Sequence, residues 1–205
     1  MLENIELKDV NLGYRQCKEL SDLVTKDGEK ILGDLSATVV SLQKNWVGAD
    51  ATVHINNLID VRDSLNDFVG AAKKITSATG ACIIDVQNVI RANGGATEVG
   101  DPLPSTIASV SSIAKLDTTT EFRVDSAASN DYTDLENECS AYQQFVDKFS
   151  NLKDQLFANW IKGAGKEDAV KCFNQFLDES VNHKKMMDDA KNNLSTAISN
   201  ISQLG

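Results

Sequence analysis

The sequence predicts an all-α fold: two long antiparallel helical hairpins packing as a four-helix bundle, with a short strand-like segment before each hairpin. Three observations carry the prediction. The two tryptophans of the chain, Trp46 and Trp160, each follow an asparagine, close a long apolar-periodic run and precede a glycine, Gly48 or Gly163. They stand 114 positions apart in 205 residues, so the chain reads as two copies of one element. Aromatic residues make up only 6% and prolines number two, which suits long helices better than a barrel or sandwich. The repeat divides the chain into a first hairpin over 1–93, a linker over 94–118 and a second hairpin over 119–205.

Residues 3–9 alternate apolar and charged side chains, a weak strand signal. From Leu12 the period changes: Leu20, Val24, Ile31, Leu35, Val39, Leu42 and Trp46 recur at three, four or seven and mark one helical face. Gly28 and Gly33 fall inside this run, each expected to weaken it by up to ~1 kcal/mol relative to alanine. Lys18, Glu19, Asp22, Lys26, Glu29, Lys30 and Asp34 occupy the other face, a solvated surface.

After a bend at Trp46–Gly48, a second helix is expected from Asp50 or Thr52, either of which caps a helix well. Its apolar positions are Ile55, Leu58, Leu65, Phe68, Ala72, Ile75, Cys82, Val86 and either Val89 or Ile90, and Asn93-Gly94-Gly95 stops it. Roughly 40 residues make a rod of about 60 Å, which needs a partner helix along its length. The linker holds Pro102 and Pro104. Within it Ile107, Val110, Ile113 and Leu116 have helical spacing after Ser105, predicting a short helix laid over the bundle.

The second half replays the first. Glu121-Phe122-Arg123-Val124 matches Glu6-Leu7-Lys8-Asp9 at an offset of 115, close to the tryptophan offset. Leu135, Cys139, Tyr142, Phe149, Leu152, Leu156 and Trp160 form the third apolar stripe. Val170, Phe173, Leu177, Val181, Met187, Leu194, Ile198 and Ile201 form the fourth. Lys166-Glu167-Asp168 opens the last helix, where acids suit the N-terminal dipole. At each bend the tryptophan is expected to lie across the open last layer of its hairpin with its indole N–H near water, while the glycine lets the chain reverse.

A net charge of −10 argues against a nucleic-acid surface or an anionic membrane, both of which reward Lys and Arg. No run approaches the ~20 apolar residues that span a bilayer, so no stable membrane insertion is expected. Met1–Leu7 lacks the basic and apolar regions of a secretory leader, which leaves the cytoplasm or an export route without a cleaved leader. Cys17, Cys82, Cys139 and Cys172 have no metal or redox spacing and read as free thiols. A Cys17–Cys82 disulfide is the lesser alternative. His54 and His183 have no second ligand on a shared face, Gly94–Gly100 lacks the Lys-Ser/Thr of a phosphate loop, and Asp188-Asp189 reads as solvated surface. Met187 reads as core, beside Met186. No catalytic, cofactor-binding or metal-ligating set is assigned.

Two tryptophan bends between long helices make the chain resemble the WXG family, helical-hairpin proteins exported by bacterial type VII secretion systems. The first copy matches Trp-x-Gly as Trp46-Val47-Gly48, and the second carries one residue more, Trp160-Ile161-Lys162-Gly163. Family hairpins pair into four-helix bundles, so the resemblance implies a fused pair, self-sufficient as a monomer, with a homodimer as the alternative. It also implies an export signal combining Trp-x-Gly with Tyr-x-x-x-Asp/Glu. Tyr132 and Glu136 fit that second pattern, at the start of the third helix and not in a tail after Ile201. The implied role is a non-enzymatic secreted substrate whose partner is the secretion ATPase or a co-secreted effector. A cytoplasmic chaperone or adaptor for a type VII toxin is the rival reading, and a structural protein of a phage or cell surface the third.

Overall fold

The computed structural model describes residues 5–107, 110–163 and 165–203. The chain is mostly helical with very short strands. In order it forms β1 (Glu6–Leu7), α1 (Val10–Leu23), a π-helical turn (Val24–Gly28), α2 (Glu29–Asn45), β2 (Trp46–Val47), α3 (Ala49–Ala92), β3 (Arg123–Val124), α4 (Ala128–Asn159), β4 (Trp160–Lys162) and α5 (Lys166–Ser202). No helix among the described residues is long and apolar enough to cross a membrane.

The helices bury one face each, in steps of three and four. On α4 the inward positions are Ala128, Asp131, Leu135, Glu138, Tyr142, Phe145 and Phe149. On α5 they are Phe173, Phe176, Ser180, His183, Met187, Ala190 and Leu194. This alternation is the repeat by which a helix keeps one face turned inward. It corrects one expectation and decides an open one. Val181 is 74% exposed, its predicted place taken by Ser180 and His183, and of the alternatives Val89 and Ile90 the half-buried one is Ile90, Val89 being 53% exposed.

The first long run is not one uninterrupted α-helix. Its inward positions Leu20, Val24, Gly28 and Ile31 include two steps of four in succession, one residue more than the alternation of three and four. The π turn absorbs that residue, because its wider loop holds an extra position without turning the apolar face away. Gly28 closes the turn where neighbours crowd it: a Cβ there would lie 3.2 Å from Val69 and 3.4 Å from Phe145. Gly33 is exposed with open space around it. The expected caps also shift. α3 starts at Ala49, with the Thr52 N–H bonded to the Gly48 carbonyl, so Asp50 and Thr52 lie inside the first turn.

Contacts divide the chain into two compact units, each assembled from segments of both halves: Met1–Glu29, Asp67–Ala108 and Phe145–Asp178 in the first, Lys30–Asn66, Ser109–Gln144 and Glu179–Gly205 in the second. The first unit is organised around Phe68, whose ring stacks on Phe176 at 3.6 Å and meets Phe149 edge-on at 4.9 Å. Near them the Lys73 ammonium, 3% exposed, is held by Glu29 at 2.6 Å. Cys17 is buried and donates its thiol to the Thr76 carbonyl, and burial raises its pKa to about 12. All four cysteines are free.

The second unit also buries polar groups in pairs. Tyr142 and His183 share a hydrogen bond of 2.8 Å, and Ser64 donates to Glu179. Arg62, 4% exposed, is held by the Ser36 hydroxyl, Asp63 and the Ser111 carbonyl. Burial lowers the His183 pKa, against the opposing charge of Glu179.

Among the described residues of 95–118 no helix forms. In each unit the described part of this segment is tied to α3 by side-chain hydrogen bonds. In the first unit Gln87 accepts the Gly100 N–H and Ser77 donates to the Leu103 carbonyl. In the second, Asn56 pairs with both backbone groups of Leu116, at 2.8 and 3.0 Å. Ile107, Val110, Ile113 and Leu116 are half-buried. Their repeat of three is also the period of an extended threefold chain, so spacing alone does not distinguish it from a helix. Asn56→Ala should cost about 1–2 kcal/mol, leave helix content unchanged and speed proteolytic cleavage within 110–118. Limited proteolysis with circular dichroism checks both halves of that expectation.

Candidate functional site

The repeated element of the sequence forms two junctions, one in each unit. In the second unit α2 ends at Asn45, and Trp46–Val47 pairs antiparallel with Val124–Arg123. In the first, α4 ends at Asn159, and Trp160–Lys162 pairs antiparallel with Leu7–Glu6. Both tryptophans therefore stand between two helices, Trp46 2% and Trp160 1% exposed.

The pairing crosses the repeat. The lead-in strand of the first half completes the bend of the second half, and the lead-in of the second completes the bend of the first. The register also revises the lead-in equivalence: Leu7 faces Trp160 and Val124 faces Trp46, an offset of 117 in place of 115. The asparagine before each tryptophan clamps the incoming strand. The Asn159 carbonyl accepts the Lys8 N–H, while its side-chain amide bonds both the N–H and the carbonyl of Asp9. The Asn45 carbonyl accepts the Asp125 N–H, and its amide donates to Asp131 at 2.8 Å. Sequence reasoning named the Asn-Trp pairs but gave the asparagines no role. Their repetition was the available signal.

The extra residue of the second copy has a structural account. Trp46 and Val47 face their partners one to one, whereas Trp160 faces Leu7 and Lys162 faces Glu6, leaving Ile161 between them. Ile161 is the added residue of a β-bulge and is 44% exposed. Gly163 thereby follows its strand as Gly48 follows Val47. The two have φ of +132° and +155°, backbone conformations that L side chains rarely adopt.

The indoles differ in surroundings. Trp46 stacks on His54, ring centroids 5.9 Å apart and planes 8° from parallel. Trp160 lies 6.1 Å from Phe157, and its N–H is buried without a hydrogen-bond partner among the described residues, contrary to the expectation that it stays near water. A cleft of about 630 Å³ opens beside Trp46, shared with Gly48, Thr119, Asn193 and Asn200. Phe122, 65% exposed, lies on the same cleft.

Tyr132 and Glu136 lie within α4, Tyr132 half-buried and Glu136 exposed, and neither belongs to a junction strand. His54 and His183 both serve packing, one against Trp46 and the other against Tyr142. Met187 is buried, as expected of core, and Met186 is half-buried. Among the described residues no group of three or more His, Cys, Asp or Glu side chains is placed to hold a metal ion. Comparisons with family models, with characterised proteins and with solved structures return no match to the chain.

Proposed function

We propose that this chain is a non-enzymatic, partner-binding substrate of a bacterial type VII secretion pathway, a single-chain counterpart of a paired WXG hairpin dimer. Residues 1–93 and 119–205 are the two hairpins, packed as a four-helix bundle, and 94–118 is the strap that ties them. The observation that carries the reading is the crossed strand pairing: each Trp bend takes its lead-in strand from the other half, as two subunits of a dimer would exchange them. Supplying that partner in cis keeps its effective concentration high, which favours a monomer. The partner outside the chain is the secretion ATPase or a co-secreted effector.

The test separates folding from export. Trp46→Ala and Trp160→Ala each remove a buried ring and should cost about 3–5 kcal/mol. Trp46→Phe with Trp160→Phe keeps most of the packing, and the doubly substituted chain should stay folded yet fail to reach the medium of secreting cells. Export of that folded chain at the unsubstituted level would overturn the reading. Retention of the unsubstituted protein in the cytosol of secreting cells would favour the chaperone or adaptor role.

A further inference from the structure

Away from the junctions, one group in the second unit lacks a partner that its chemistry demands. Glu138 occupies an inward position of α4 and is 5% exposed. The Thr38 hydroxyl of α2 donates to its Oε1, while Oε2 is buried without a hydrogen-bond partner among the described residues. Glu138 lines a cleft of about 410 Å³ together with Asp34 and Asp134, and Ala37 and Ala141 keep that space open. Among the described residues lining it Lys30 is the basic one, and Asp34 holds its ammonium at 2.5 Å.

A carboxylate in this position is costly without a donor or cation. Burial first, then the charges of Asp34 and Asp134, push the Glu138 pKa up to about 7, against the Thr38 hydrogen bond and Lys30. The surplus of acid over base in the cleft has the sign that attracts a cation. Among the described residues these acids do not form a group of three placed to hold a metal ion, and an organic cation is the matching class. An ammonium or guanidinium supplies several N–H donors, and charge-assisted bonds to a carboxylate are the strong ones.

We propose that this cleft receives a basic side chain, Lys or Arg, from a partner protein, whose N–H groups complete the hydrogen bonding of Glu138. The source of that side chain rests on the partner-binding reading above. The chemistry of the cleft does not.

The experiment titrates the full chain, isotope-labelled, with N-acetyl-arginine amide and N-acetyl-lysine amide, using N-acetyl-norleucine amide as the neutral control. Saturable shifts are expected at the amides of residues 34–38 and 134–141 with either cation and not with norleucine. Entry of the cation must displace the Glu138 proton, so binding should be roughly thirtyfold weaker at pH 5.5 than at pH 8. Glu138→Gln keeps the acceptor for Thr38 and should fold. It should bind at least about tenfold more weakly with no dependence on pH, whereas Asp67→Asn, on an exposed position of the first unit, should change nothing. Absence of saturable shifts, or equal and pH-independent binding by the unsubstituted chain and Glu138→Gln, would overturn the proposal. Either result leaves the export experiment untouched, since that reads Trp46 and Trp160.

Discussion

Phe68→Ala should destabilise the protein by about 3–5 kcal/mol, the range for deleting a buried ring from a packed core. Phe68 is 6% exposed and contacts the rings of Phe145, Phe149, Phe173 and Phe176, which come from two other helices. Its loss leaves a void that four rigid rings cannot close by small rotations, so the cost should lie toward the upper end. For a chain of this size the midpoint of thermal unfolding should fall by roughly 10 °C. Phe122→Ala is the matched control: the same deletion at a site 65% exposed should stay within about 0.5 kcal/mol. Thermal or denaturant unfolding of the two variants side by side decides it. A similar cost for both would mean that Phe68 is not the centre of its unit.

The second large effect is a dependence of stability on pH. The Glu138 pKa is raised from 4.5 to about 7 in the folded protein. A raised carboxyl contributes stability that is complete below the unfolded value and is lost as pH rises through the folded one. The difference between those values corresponds to roughly 3 kcal/mol. Stability should therefore decline between about pH 4.5 and 7 on account of this group. Glu138→Gln should remove that decline, matching the unsubstituted chain in mild acid and exceeding it by up to roughly 3 kcal/mol above neutrality. His183 works in the opposite sense. Its pKa is lowered, chiefly by burial, so its contribution is present above the unfolded value near 6.5 and is lost as pH falls through the folded one. Urea unfolding across pH 4.5–8.5 should separate the two, and an unchanged slope in Glu138→Gln would exclude Glu138 as its source.

Much of the helical plan was legible because amphipathic periodicity and chain reversal are local properties. The apolar stripes of the long runs, the stop at Asn93-Gly94-Gly95 and the placing of both tryptophans between helices needed no knowledge of what lay opposite. The failures fall where a residue's place depends on another segment. Val181 fits a helical stripe by hydrophobicity, yet the neighbouring helix offers Tyr142, and a hydrogen-bonding His183 takes the inward position. Arg62, Lys73 and Glu138 are buried because Ser36, Glu29 and Thr38 meet them from other helices, and a charged side chain in isolation reads as surface. The strap was misread because a repeat of three serves both a helix and an extended chain.

By itself the sequence determined that two tryptophan junctions stand between long helices, that one of those helices stops at Asn93-Gly94-Gly95, and that one residue more sits in the second junction than in the first. Tertiary structure decided which lead-in strand closes which bend, that Ile161 bulges so that Gly163 can take its place, and which polar groups go inside. The physical reason is one of range. Helix periodicity and glycine freedom act within a few residues and are written into the local chain. A two-residue strand or a buried carboxyl has no preference strong enough to choose its own partner, and only the packed chain supplies one.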